Sequence, residues 1–145
     1  MNKIEFTLAL IKPDAMMASQ VGDITETIKD SKLHIVLCQR MRGTRDLFSD
    51  FYAEHKGKPF FDGLIDHMCS GHFVAMVLCG EDAVTRWRGL MGATDPMKAA
   101  PGTLRAKHGT VMPKNAVHGS DSVRSAMIEI KKMFPGQVEF PREVE

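Results

Sequence analysis

The sequence contains no apolar stretch long enough to span a bilayer, and its polar start, Met1-Asn2-Lys3, carries no signal-peptide core. An excess of one charge is also missing. Nineteen basic residues face 18 acidic ones, the signs are interspersed, and the formal net charge is +1. No basic run or basic aromatic stripe appears, so neither nucleic acid nor a membrane is expected as a partner. Cysteine is sparse and odd in number. Cys38, Cys69 and Cys79 sit in apolar surroundings, which reads as reduced core thiols in a cytoplasmic protein rather than a disulfide framework. Repeats and low-complexity linkers are absent. What is present is a 145-residue chain, 43% hydrophobic, enough for one domain over 1–145 with a real core. Eleven methionines make that core adaptable.

Patterning predicts an α+β sandwich. The apolar run Glu5–Ile11 reads as a central strand that Pro13 ends, leaving Lys12 at a strand terminus with its ammonium free to reach a cleft. Asp23 is placed to cap an amphipathic helix bearing Ile24 and Ile28. Leu33–Met41 reads as a second strand. On a regular strand His34 and Cys38 face one side, a conceivable metal pair that lacks a second pair at zinc-site spacing. Thr44 or Asp46 opens a helix with Leu47, Phe48, Phe51 and Tyr52 as its apolar stripe. Gly57-Lys58-Pro59 breaks the chain before a helix over Phe60–Met68. Phe73–Cys79, the most apolar run, reads as another central strand, and Asp82 as the cap of a helix with Val84, Trp87, Leu90 and Met91. Arg86 and Arg88 are two apart and diverge, so only one of them enters a cleft. Gly92–Arg105 is a long loop held by Pro96 and Pro101, of a length that is usually functional. A final helix covers Asp121–Phe134 before Pro135-Gly136, and a short polar tail runs over Val138–Glu145.

The chemistry concentrates in Asn115-Ala116-Val117-His118-Gly119-Ser120-Asp121-Ser122. Gly119 permits a sharp turn or a close approach beside His118. Ser120, Asp121 or Ser122 can cap the following helix. His118 is therefore expected at a strand-to-helix corner near the positive end of a helix, which suits phosphate and favours the neutral imidazole. Thr94 supplies a hydroxyl and Arg105 a permanently charged fork, the two kinds of group a phosphate tail needs. Glu129 lies about 10 Å along its helix from the start, so spacing alone does not bring it to His118.

The octapeptide, the run Thr7–Ala15, the hairpin Phe51–Phe61 and the loop Gly92–Arg105 together resemble the nucleoside diphosphate kinases, in order and spacing, from Phe6 to Gly136. The resemblance implies a ferredoxin-like, four-stranded antiparallel sheet with helices on one face, plus a helical hairpin and a long loop that form a nucleotide cleft. It implies a ping-pong transfer from ATP or another nucleoside triphosphate to a nucleoside diphosphate, through a phosphohistidine at His118. Ser120 and Glu129 would orient the imidazole. Lys12, Arg88, Thr94 and Arg105 would bind the phosphates, Asn115 with Lys12 the sugar, and Phe60 the base, with Tyr52 and Leu64 in the same cleft. Mg²⁺ would ride on the phosphates, with Glu54 reaching it through water. A homo-oligomer is also implied.

The chain departs from the family pattern at His72, at Ala106-Lys107-His108 and at Met112-Pro113-Lys114, and none of these removes a group the chemistry needs. Two other readings are a regulatory protein that binds nucleotide without turnover, and a metal-binding module using histidines and cysteines.

Overall fold

The computed structural model describes residues 3–140. Met1, Asn2 and Pro141–Glu145, which include most of the polar tail, lie outside the described residues. The chain runs β1 (Ile4–Ile11), α1 (Pro13–Met17), α2 (Val21–Asp30), β2 (His34–Arg42), α3 (Arg45–Phe51), a 3₁₀ turn (Ala53–His55), α4 (Phe61–Met68), β3 (His72–Glu81), α5 (Ala83–Met91), α6 (Leu104–His108), β4 (Val117–Gly119) and α7 (Val123–Met133). The four strands pair antiparallel in the order β2-β3-β1-β4.

β1 and β3 occupy the centre because both are apolar at nearly every position, so both of their faces need cover. Ala9, Ile11, Val74, Met76 and Leu78 pack on one side against Ile24 and Ile28 of α2 and Trp87 and Met91 of α5. Leu8, Leu10, Phe73, Ala75 and Val77 pack on the other against Phe48 of α3, Ile65 of α4 and Ile130 of α7. The expectation of helices on one face thus extends to two, with the hairpin and α7 forming the second layer.

Several local expectations are corrected. Asp23 does not cap α2; Gln20 occupies that position, and Asp23 instead bonds His108 and Lys107 of α6. Asp82 precedes α5 in a left-handed conformation (φ 50°) without a capping bond, and Glu5 Oε1 takes the Val84 N–H in its place. β2 has a bulge between Ile35 and Leu37, so His34 pairs with Cys79 while Cys38 pairs with Met76. Those two partners differ by an odd number of residues, which puts His34 and Cys38 on opposite faces of the sheet and removes the conceived metal pair. Cys38 is exposed rather than in the core, Cys69 and Cys79 are half-buried, and all three are free thiols. The short helices α1 and α6 lie where a strand end and a loop were expected.

Candidate active site

β4 delivers His118 to the sheet edge, opposite Leu10 of β1. Its Nε2 lies 2.9 Å from Glu129 Oε1, and the same oxygen accepts the Ser120 hydroxyl at 3.0 Å. A carboxylate only accepts, so Nε2 carries the proton and Nδ1 keeps the lone pair. The contact that helix spacing did not predict arises because Gly119–Ser122 folds back along α7 before the helix begins. Ser120 is fully buried and pinned to β1, its N–H on Leu8 C=O and its hydroxyl accepting Leu8 N–H. Ser122 is the cap of α7, in a capping box with Ser125. The Phe51 and Tyr52 rings meet the imidazole edge-on, at 5.3 and 5.9 Å between centroids. Trp87 Nε1 donates to the His118 carbonyl at 3.1 Å. The imidazole is fixed on several sides, and its side chain is still 20% exposed to the cavity.

Immediately upstream, Val117 N–H donates to Asn115 C=O at 2.8 Å across Ala116, whose φ is +72°. This is a γ-turn of the strained hand. The segment after β1 clamps it: Lys12 N–H takes the Ala116 carbonyl at 2.8 Å, and Asp14 Oδ2 takes the Ala116 N–H at 2.9 Å. Lys12 is not a free arm. It is 4% exposed, and Nζ donates to Pro113 C=O and Asn115 Oδ1, both at 2.7 Å. Burial pulls its pKa from an ordinary 10.5 down to about 8, Asp14 opposing the fall and Arg105 adding to it. Asn115 is equally enclosed, its Nδ2 donating to Thr94 C=O at 2.9 Å.

Arg105, in the first turn of α6, is 8% exposed and spans two main-chain carbonyls, Gly92 at 3.0 Å and Val117 at 2.9 Å. Its buried Nε has no partner among the described residues. Burial first and the neighbouring Arg88 second bring its pKa to about 10, so it stays charged at neutral pH. Arg88 faces the cavity, whereas Arg86 turns back to the Glu81 carbonyl at 3.1 Å.

The cavity between these groups measures about 750 Å³. Lys12, Arg88, Thr94, Arg105, Asn115 and His118 line it together with Phe60, Leu64, Tyr52 and Glu54. Phe60 stands at the rim, 53% exposed, just ahead of α4 rather than within it. Tyr52 is buried, and loss of solvent together with the charge of Glu129 pushes its phenol pKa up. Glu54 and Asp121 supply carboxylates at the cavity wall, while no three His, Cys, Asp or Glu side chains gather into a metal cluster among the described residues. That donor set suits a hard divalent cation that keeps most of its ligands as water and phosphate.

All of the residues named from sequence except Ser120 line this one cavity, and Ser120 lies behind Glu129. Sequence reasoning missed Asp14, Phe51, Trp87, His55 and Met112. The Pro after Lys12 marked a strand end but gave no sign that Asp14 turns back onto the octapeptide. Of the departures noted above, His72 begins β3, where a residue with an N–H can pair, and Lys107 and His108 tie α6 to α2.

The family model described as nucleoside diphosphate kinase matches residues 5–138. The chain is 48% identical over 133 residues to a nucleoside diphosphate kinase of Desulfovibrio desulfuricans, covering 92% of this chain and 96% of the relative. It is 49% identical over 134 residues to one of Wolinella succinogenes, covering 92% and 98%. A solved nucleoside diphosphate kinase of Halobacterium salinarum in complex with CDP superposes with a TM-score of 0.90 at 39% identity, covering 97% of this chain and 95% of that one.

Proposed function

The chain belongs to the nucleoside diphosphate kinase family, and from that premise we propose how its residues divide the work of the reaction. The enzyme moves the γ-phosphate of a nucleoside triphosphate to a nucleoside diphosphate. His118 Nδ1 attacks the γ-phosphorus, an N–P bond forms, and the bond to the bridging oxygen breaks as the diphosphate leaves. A second diphosphate then takes the phosphoryl group by the reverse step. Glu129 holds the Nε2 proton and stabilises the imidazole as it gains positive character, with Ser120 fixing the carboxylate. Lys12, Arg88 and Arg105 offset the phosphate charge, and the Thr94 hydroxyl adds a donor. Asn115 and Lys12 meet the sugar. Phe60 stacks the base and Leu64 flanks it, a contact that tolerates every base. Mg²⁺, when bound through the phosphates with Glu54 reaching it through water, neutralises charge on the transferred group. Tyr52, on the same wall, braces the imidazole.

The observation that carries this reading is the oriented ring. A histidine with Nε2 spent on a half-buried carboxylate presents its nucleophilic nitrogen to a pocket of cations. Incubation with labelled ATP should give a label that is acid-labile and alkali-stable, absent from His118→Ala. Unlabelled wild type would refute turnover and leave a nucleotide-binding protein. The same reading takes 1–145 as one cytoplasmic domain that assembles into a homo-oligomer. Support for assembly comes from the open edge of β2 with exposed Val36 and from exposed Met17, Met97 and Val111. Light scattering should give a mass of two or more chains.

A further inference from the structure

His67 sits in the last turn of α4, is absent from the cavity lining, and has no part in the proposed transfer. Its Nε2–H donates to Asp14 Oδ1 at 2.9 Å, with the two side chains only 9% and 13% exposed. The other Asp14 oxygen accepts the Ala116 N–H at 2.9 Å. One carboxylate therefore bridges helix α4 and the apex of the γ-turn that precedes His118. Neutral or protonated, the ring can supply the Nε2–H this bond requires. Burial works to raise the Asp14 pKa, yet the bond and charge of His67, the charge of Lys12 and the Ala116 N–H together hold it below its ordinary 3.8. The bridge is thus made by a charged acceptor.

The turn needs such an anchor. A non-glycine residue at positive φ is strained and persists only where its surroundings over-determine it. Lys12 N–H holds the Ala116 carbonyl, and Asp14 holds its N–H. Without His67, Asp14 is free to change rotamer, and the second restraint goes. α4 also carries Leu64 on the cavity wall, so the bridge ties the wall to the loop that aims the nucleophile.

We infer that His67 is a positioning residue: through Asp14 it locks the Ala116 turn and thereby the aim of the His118 ring. The inference rests on His118 as phosphoryl acceptor. His67→Phe keeps a ring and removes the donor, whereas His67→Gln keeps an N–H. Misaiming a nucleophile costs rate more than ground-state binding, so His67→Phe should lower kcat about tenfold with KM for ATP within about twofold. His67→Gln should stay within about threefold of wild type, since the bond survives. Amide exchange, followed by NMR without nucleotide, should speed up about tenfold at Ala116 in His67→Phe and leave the α7 amides unchanged. Wild-type kcat in His67→Phe, a KM rise with unchanged kcat, or unchanged Ala116 exchange would each overturn the inference. If His67→Phe does not fold, Asp14→Leu replaces it, because a branched apolar side chain of similar size accepts neither bond. It should show the same loss of kcat and faster Ala116 exchange, and wild-type behaviour there overturns the inference equally. The exchange measurement involves no turnover, so its outcome is independent of the labelling of His118.

Discussion

Lys12 shows how a side chain can be costly to the fold and suited to the ligand. Its proton affinity falls from an ordinary 10.5 to about 8 on folding. At about 1.4 kcal/mol for each tenfold change in affinity, burying it charged costs about 3 kcal/mol. Below pH 8 both folded and unfolded chains hold the proton and the whole cost is present. Between pH 8 and 10.5 the folded chain sheds it first, so the Lys12 contribution makes stability rise with pH. Nucleotide phosphates reverse the preference by favouring the ammonium. Binding at pH 8.5 should therefore take up protons, seen by calorimetry as a buffer-dependent heat that Lys12→Met abolishes. Affinity should weaken as pH climbs above 8. The residue's identity was legible in Lys12-Pro13-Asp14, but its enclosure was not, because that depends on Pro113 and Asn115, a hundred positions away. The Glu129 contact was hidden for a similar reason: spacing along α7 says nothing about how Gly119–Ser122 doubles back beside it.

Among the elements, β1 and β3 were legible because a continuous apolar run needs no partner to be recognised. The bulge in β2 was not, since no glycine or proline marks it and alternation there is weak. α6 was missed because Pro101-Gly102 dominate the local signal, although Thr103 caps the helix through Ala106 N–H at 3.3 Å. β4 is only three residues long, and its exactness of placement comes from its neighbours. A Cβ on Gly119 would stand 2.5 Å from both Met91 Cε and Trp87 Cδ1. Trp87 is fully buried and cannot yield cheaply. Gly119→Ala should therefore destabilise by about 3 kcal/mol, as overpacking does, in a urea titration. By pushing Trp87 off the His118 carbonyl it should also slow phosphorylation of the histidine in the fraction that remains folded.

At the scale of the molecule, the cleft draws on both layers. Arg88 and Arg105 come from helices over one face of the sheet, and Tyr52, Leu64 and Glu129 from the helical layer over the other. Lys12 follows the end of β1, and His118 lies at the middle of β4, in the sheet between them. Neither layer docked alone could present both the phosphate-binding cations and the braced imidazole. The scarcity of aromatics gives a means of seeing this. The chain has one tryptophan and one tyrosine, and Trp87 belongs to the first layer and Tyr52 to the second. Trp87 fluorescence and the Tyr52 ring signals in an NMR spectrum make two separate gauges, one per layer of the protein. On gentle denaturation, turnover should vanish with whichever gauge moves first, so enzyme activity would register the weaker half rather than the average of the two.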